Sequence, residues 1–88
     1  MRYLLIYGIC HDGARTKVAD LCLDYGLERI QYSAFQGDLS KTHRRELWIQ
    51  IGKCVHAHKT QAARVYLYPL DEKCWLEKQL LEQHGEGE

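Results

Sequence analysis

The chain opens with an apolar segment, residues 3–7, that contains no charged side chain. Such a continuous apolar run is typical of a central strand that is buried on both faces of a sheet. The polar and glycine-containing stretch that follows ends the strand, and Asp12 is placed to cap a helix. Apolar residues then recur at helical spacing, which predicts a first helix over residues 13–25 with Gly26 as its C-terminal stop.

The next part of the chain predicts a strand, a helix and another strand. Apolar and polar residues alternate over residues 29–35, with the two-residue period of a strand. Ser40 is placed to cap a second helix, whose apolar stripe consists of Leu47, Trp48, Ile51, Cys54 and Val55. The polar residues 56–61 predict a loop, and the alternation over residues 63–68 predicts a strand that Pro69 closes.

The C-terminal part of the chain has a weaker pattern. Residues 71–78 predict a helical turn, and residues 79–83 predict either a short final strand or more helix. The order β-α-β-α-β, with room for a final strand, fits a ferredoxin-like α+β sandwich, whose full order is β-α-β-β-α-β. We therefore predict a ferredoxin-like domain over residues 1–78, followed by a C-terminal strand or tail over residues 79–88.

The composition is that of one small globular domain. The chain has 88 residues, of which 45% are hydrophobic and 27% charged, so it does not resemble a disordered segment. No apolar run approaches the roughly 20 residues of a membrane span, and no signal peptide opens the chain, which predicts a cytoplasmic protein without a membrane partner. Four scattered cysteines without a C-x-x-C pair are expected to be reduced: Cys10, Cys22, Cys54 and Cys74.

The charges are balanced overall but unevenly distributed. The formal net charge is zero, yet basic residues outnumber acidic ones six to one over residues 41–64, and acidic ones dominate residues 71–88. A basic segment can bind phosphate, while a neutral total argues against strong non-specific nucleic-acid binding by a monomer. Taken alone, the same charges fit a solvated helix face equally well.

Three sequence motifs are more specific than the composition. They are YGICHD at residues 7–12, YGLERIQYSAFQGDL at residues 25–39 and VYLYPL at residues 65–70. Together they resemble the small CRISPR-associated adaptation protein, the second of the two universal Cas proteins, which is also described as a CRISPR-associated endoribonuclease. The resemblance covers about residues 2–70, and the long middle motif is its most specific part.

The resemblance implies an assembly and two separable activities. It implies a ferredoxin-like homodimer in which a C-terminal strand crosses to the partner. It also implies a nuclease that uses Mg²⁺ or Mn²⁺ on RNA or duplex DNA, and a scaffolding role in spacer acquisition. The implied partners are a second copy of the chain, a CRISPR integrase subunit, and duplex DNA or single-stranded RNA.

The sequence departs from the family at the metal position. In the family the first strand ends in Tyr-Asp, and that Asp binds the metal near the dimer axis, whereas this chain has Gly8. Glycine offers a hard cation only a backbone carbonyl. The nearest carboxylate is Asp12, which serves either as a helix cap or, with His11, as part of a displaced metal site. Three interpretations follow: a scaffold, a nuclease with a displaced site, or a non-catalytic toxin-like or regulatory module.

Other residues match family motif positions: Arg15 and Lys17 on the first helix, and Arg29, Ser33 and Phe35 on the second strand. Arg29 can hold a phosphate through its guanidinium fork, or pair with a carboxylate. Phe35 is expected in the core or a dimer interface, with a nucleobase platform as the alternative. Ser33 has no adjacent base that would make it a nucleophile.

The basic segment adds two residues to the predicted nucleic-acid-binding set, Arg44 and Arg45. The sequence Cys54-x-His56-x-His58 resembles a soft-metal cluster but lacks a fourth ligand at the usual spacing. We therefore expect a buried cysteine followed by exposed histidines at this place.

Overall fold

The computed structural model describes residues 1–58 and 61–85. Its elements are β1 (Arg2–Ile9), α1 (Asp12–Asp24), β2 (Glu28–Gln31), β3 (Ala34–Asp38), α2 (Lys41–His56), β4 (Ala63–Leu70) and α3 (Glu72–Leu76). Two parts of the predictions lie outside the described residues: residues 59–60 of the predicted loop and residues 86–88 of the predicted tail. In the part of the chain that is described, no helix has the length and apolar character needed to span a membrane.

The four strands form one antiparallel sheet in the order β2-β3-β1-β4. The two helices α1 and α2 follow β1 and β3 in the chain, so the overall order is β-α-β-β-α-β before the short α3. This order confirms the predicted ferredoxin-like α+β fold.

The predicted single strand over residues 29–35 is wrong, because this stretch is a hairpin. β2 and β3 pair antiparallel around a turn at Tyr32 and Ser33, with a register irregularity between Arg29 and Gln31. Both strands have the same two-residue period, and the turn contains neither the glycine nor the asparagine that usually marks a tight hairpin. Alternation alone therefore could not reveal the reversal of the chain.

β1 lies in the middle of the sheet, but only one of its faces is covered within the chain. The face toward the helices buries Tyr3, Leu5, Tyr7 and Ile9. The other face carries Leu4, Ile6 and Gly8, and Ile6 is 37% exposed. The prediction of burial on both faces is wrong for the single chain, because both long helices pack on the same side. We call the uncovered side the open sheet face.

The hydrophobic core lies between the helices and the sheet. Its largest fully buried side chains are Phe35, Leu5, Leu47, Val18 and Cys22. Burial raises the pKa of the Cys22 thiol to about 12, so this thiol stays protonated and unreactive at neutral pH. All four cysteines are free.

α1 begins with a different cap from the predicted one. His11 is the N-cap, and its Nδ1 atom accepts a hydrogen bond of 3.0 Å from the backbone N–H of Ala14. The prediction that Asp12 caps this helix is wrong, because Asp12 lies in the first turn and its carboxylate pairs with the Arg15 guanidinium. A histidine ring nitrogen can accept the same hydrogen bond as a carboxylate, so the residue type alone did not identify the cap.

Two other helix boundaries agree with the predictions. α1 ends before Gly26, which has a φ of +85°, a left-handed conformation that favours glycine. At the start of α2, Ser40 Oγ accepts a hydrogen bond of 3.0 Å from the backbone N–H of His43. This contact confirms Ser40 as the N-cap.

The C-terminal segment leaves the sheet through the short helix α3. Arg2 of β1 holds this helix, because its guanidinium donates to Glu72 at 2.7 Å and lies 4.7 Å from the centre of the Trp75 ring. Residues 79–83 form neither the predicted strand nor more helix in the single chain. Leu80 and Leu81 are 74% and 98% exposed, so the chain itself offers this segment little to pack against.

Candidate nucleic-acid interface

Gly8, the penultimate residue of β1, lies opposite a basic residue and not a carboxylate. Gly8 is exposed, and the β1–β4 register places it directly opposite Arg64. Directly opposed residues of an antiparallel pair project to the same face, so Arg64 shares the open sheet face with Gly8. A Cβ atom added at Gly8 would meet no other atom within 4 Å, so the position has room for a side chain.

The residues near Gly8 do not fit a Mg²⁺ or Mn²⁺ site in this chain. Asp12, the carboxylate that follows Gly8 most closely in the sequence, already pairs with Arg15. His11 Nδ1 is also occupied, because it accepts the hydrogen bond from Ala14. Over residues 1–58 and 61–85, no three His, Cys, Asp or Glu side chains form a group that could hold a metal ion. We therefore derive no chemistry through a metal for the native chain.

The histidines and cysteine at the end of α2 make other contacts. The Cys54 thiol lies 3.7 Å from the backbone carbonyl of Ala14 and can donate to it. His58 stacks on His11 with 3.7 Å between the ring centres, while His56 is exposed. The Cys54-x-His56-x-His58 sequence thus connects α2 to α1 and does not form a ligand cluster.

Arg15 is held against the end of β1 by the chain itself. Its Nη1 donates to the backbone carbonyl of Ile9 at 3.0 Å, and its Nη2 pairs with Asp12. The hydrogen bond to Asp12, followed by the interaction with Tyr32, raises the pKa of Arg15 above its ordinary value. Arg15 is therefore a fixed cation at the place where β1 meets α1 and the β2–β3 turn.

The Arg29 guanidinium packs against two aromatic rings. Its guanidinium carbon lies 5.0 Å from the centre of the Phe35 ring and 5.6 Å from the centre of the Tyr32 ring. Among the described residues it has neither a hydrogen-bond acceptor nor a carboxylate partner. A guanidinium that stacks on rings keeps its N–H edge free, so the geometry is compatible with the phosphate role predicted for Arg29.

Phe35 and Ser33 serve the fold. The Phe35 side chain is fully buried and stacks on Tyr7 with 6.2 Å between ring centres, so it offers no surface to a nucleobase. The backbone carbonyl of Ser33 accepts a hydrogen bond of 3.0 Å from the N–H of Tyr7. Its hydroxyl has no histidine or carboxylate partner in the described parts of the chain, as a nucleophile would need.

The other predicted basic residues lie in two further places. Lys17 lines a groove between α1 and α2 together with Lys53. Arg44 and Arg45 line a cleft beside Trp48, and the Arg44 Nε is buried without a hydrogen-bond partner among the described residues. The five basic residues of the prediction are thus divided among separate pockets: Arg44 and Arg45 share one, Arg15 and Arg29 share another, and Lys17 lies apart from both pairs.

Sequence reasoning missed Tyr32 as a surface residue. The alternation over residues 29–35 predicts this side chain in the middle of a strand, whereas the structure places it on the β2–β3 turn, 71% exposed. The β-α-β-β-α-β order requires two strands between the helices. Residues 28–38 are long enough for two short strands, and dividing them equally would have placed the turn near Tyr32.

The fold and these side chains define a small ferredoxin-like domain with basic residues on both long helices and on the hairpin. The model of the family described as CRISPR associated protein Cas2 matches residues 1–78. The chain therefore belongs to the CRISPR-associated Cas2 family, which confirms the resemblance seen in its motifs.

Two relatives illustrate the similarity in sequence. The chain is 52% identical over 83 residues to CRISPR-associated endoribonuclease Cas2 2 of Chloroflexus aurantiacus, covering 94% of each chain. It is 38% identical to CRISPR-associated endoribonuclease Cas2 1 of Archaeoglobus fulgidus, covering 84% of this chain and 76% of the relative. Membership of the family supports a role in CRISPR adaptation and places the chain in a nuclease family that is generally metal-dependent.

Two solved structures share the fold. Streptococcus pyogenes Cas2 superposes with a TM-score of 0.77 at 20% identity, covering 93% of this chain and 100% of that one. The hypothetical protein TT1823 from Thermus thermophilus superposes with a TM-score of 0.76 at 24% identity, covering 93% and 90%. At this level of identity the similarity concerns the fold alone.

Proposed function

We propose that the chain is a dimeric subunit of CRISPR adaptation that binds duplex DNA through its phosphates and holds it for an integrase. One observation carries the proposal: Gly8, the penultimate residue of β1, offers no carboxylate and lies opposite Arg64, while basic side chains remain exposed on the hairpin and helices. A surface with free cations and no carboxylate site suits phosphate binding better than metal-dependent cleavage. Because phosphate contacts carry no base information, little sequence preference is expected.

An integrase of the Cas1 type is the proposed partner. One relative, from Thermoproteus tenax, is a Cas1/Cas2 fusion that is 35% identical over 63 residues, which make up 24% of that longer protein. A chain of a solved partial Cas6-RT-Cas1–Cas2 complex superposes with a TM-score of 0.77 at 23% identity, covering 91% of this chain and 89% of that one. Both proteins combine Cas1 with Cas2, which supports a Cas1-type partner for this chain. Co-purification with an integrase encoded beside this chain would test the proposal.

The open sheet face supports the proposed homodimer. Tyr66 and Tyr68 on β4 lie on this face, stacked at 5.9 Å between ring centres and 43% and 46% exposed. Ile6 of β1 lies directly opposite Tyr66 and is also exposed. An apolar surface of this kind favours a partner that covers it. β4 is moreover an edge strand, and a segment from a second copy would satisfy its free backbone groups.

Removal of the C-terminal segment is expected to abolish the dimer. A chain truncated after Leu70 lacks the exposed Leu80 and Leu81 that we propose pair with the partner, so it should be monomeric or aggregate. Size-exclusion chromatography with light scattering, at falling protein concentration, measures the change. The matched control ends after Gln83, keeps the segment and should remain dimeric. A stable dimer of the shorter chain would contradict strand exchange.

Charge removal is expected to weaken duplex binding without changing base preference. Replacing Arg15, Lys17, Arg44 and Arg45 together by alanine removes phosphate contacts, so affinity at low salt should fall by at least about tenfold and the salt dependence should become shallower. Fluorescence anisotropy with duplexes of two different sequences measures both effects. The Lys73→Ala variant on α3 is the control and should bind like the native protein. Unchanged binding by the fourfold variant would refute the proposed surface.

A nuclease with a displaced metal site is the alternative function. The geometry gives it no support within the single chain, because Asp12 and His11 are both occupied by neighbouring groups. Cleavage by the native protein that requires Mg²⁺ or Mn²⁺ and disappears in Asp12→Ala would establish this alternative and contradict the inference that the native chain lacks a metal site.

A further inference from the structure

We propose that the β2–β3 turn binds an unpaired nucleotide, whose base stacks on Tyr32 and whose phosphate is held by Arg29 and Arg15. The inference rests on the proposed function as a nucleic-acid-binding protein. It deepens that function by naming a residue, Tyr32, that distinguishes an unpaired base from a paired one.

The exposure of Tyr32 is the first observation. The side chain is 71% exposed on a two-residue turn, although a tyrosine ring is a large apolar surface. The Arg29 guanidinium lies over this ring at 5.6 Å, and the high exposure leaves much of the ring open to solvent. Exposed aromatic rings beside basic groups are the platforms on which proteins stack unpaired bases, because every base has an aromatic face.

The placement of Arg29 is the second observation. It packs against both Tyr32 and the fully buried Phe35, so the core fixes one side of the guanidinium. The N–H groups at its edge have no partner among the described residues and are free to form a fork with a phosphate. Arg15 adds a second cation at the same pocket, already positioned by Asp12 and the carbonyl of Ile9.

The cavity between the turn and α1 is the third observation. It has a volume of about 200 Å³, and its lining includes Arg15, Thr16, Asp20, Leu23, Arg29 and Tyr32. Leu23, which is 52% exposed, gives it an apolar wall beside the ring. Thr16 and Asp20 lie one helical turn apart on α1, and their polar groups can meet a base edge, with the carboxylate accepting from an exocyclic amino group.

A paired base cannot use this site. In the interior of a duplex each base is stacked between two neighbours, so a protein ring reaches its face only after the base has left the stack. Phosphate contacts by Arg15 and Arg29 are open to both forms of nucleic acid, whereas stacking on Tyr32 is open only to an unpaired base. Removal of the Tyr32 ring should therefore weaken the binding of single strands and leave the binding of duplexes nearly unchanged.

The test compares Tyr32→Ala, Tyr32→Phe and Tyr32→Trp in the full chain. The probes are a short single-stranded RNA, the single-stranded DNA of the same sequence and the corresponding blunt DNA duplex, all measured by fluorescence anisotropy. Tyr32→Ala should weaken binding of both single strands by about tenfold and change duplex binding by less than about twofold. Tyr32→Phe keeps the ring and removes only the hydroxyl that interacts with Arg15, so it should bind single strands within about twofold of the native protein. In Tyr32→Trp, the indole emission should be quenched when a single strand is added.

The outcomes test the stacking site at Tyr32 separately from the proposed binding of duplex DNA. Equal weakening of single-strand and duplex binding, or no weakening by Tyr32→Ala, would overturn the stacking site even if duplex binding is strong. Native protein that binds single strands in a Tyr32-dependent way but ignores the duplex would support the stacking site and refute the duplex scaffold. Native protein that binds no single strand would overturn the inference.

Discussion

Replacing Gly8 with aspartate is expected to give the protein an affinity for Mn²⁺ and Mg²⁺, together with metal-dependent cleavage of nucleic acid. The new side chain has room, since an added Cβ meets nothing within 4 Å. In a two-fold dimer with the strand ends near the axis, the substitution brings two carboxylates together, and a divalent cation relieves their repulsion. Metal at about a hundredfold above its Kd should stabilise the variant by about 3 kcal/mol.

Arg64 decides how strong this effect becomes. It lies directly opposite Gly8, so its guanidinium is a competitor of the metal for the new carboxylate. Arg64→Ala in the Gly8→Asp background should therefore bind metal more tightly than Gly8→Asp alone. Thermal unfolding with and without metal, and cleavage assays with and without a chelator, measure the two effects.

The control for this experiment is Gly8→Asn, which has nearly the same shape and no charge, and should respond to neither metal. Duplex binding through Arg15 and Lys17 should be nearly unchanged in Gly8→Asp. Efficient metal-dependent cleavage by the native chain, with no further increase in the Gly8→Asp variant, would contradict the inference that the native chain lacks a metal ligand at position 8.

Phe35→Ala is expected to destabilise the fold strongly. The side chain is fully buried against Tyr7, and truncating a core phenylalanine costs about 3–5 kcal/mol. Domains of this size have a free energy of unfolding of about 5–15 kcal/mol, so a large part of the stability is lost. The melting temperature, followed by circular dichroism, should fall by about 15 °C or more.

The control for Phe35→Ala lies in the same hairpin. Ile30 is 41% exposed, so Ile30→Ala should cost less than about 1 kcal/mol. A Phe35→Ala variant that melts like the native protein would show that the ring is not part of the core, and would restore its interpretation as a nucleobase platform.

The sequence predicted the elements better than it predicted their boundaries and faces. The helices followed from apolar spacing and from local signals such as the Ser40 cap and Gly26, because these act within a few residues. The β2–β3 turn was missed, because a tyrosine and a serine carry no strong turn preference and the alternation continues through them. The open face of β1 was also missed, because burial on the second face depends on which side the helices pack.

The candidate site was predictable only in part. The basic motif positions were identified from the resemblance, and the structure shows that Arg15 and Arg29 share one pocket. Their separation from Lys17 and Arg44 depends on tertiary packing, which no local pattern encodes. The pairing of Asp12 with Arg15 combines residues three apart on one helix, and such a pair could have been proposed from the spacing.

The contact between α3 and β1 gives the protein a built-in optical reporter. The ring of Trp75 lies 4.7 Å from the guanidinium carbon of Arg2 and 3.9 Å from the Nζ of Lys78, and the chain has one other tryptophan, Trp48. In a Trp48→Phe variant, all indole emission comes from Trp75 on α3, where the C-terminal segment begins. The kinetics of the proposed exchange of C-terminal ends between two chains can then be followed by fluorescence emission, without an added label.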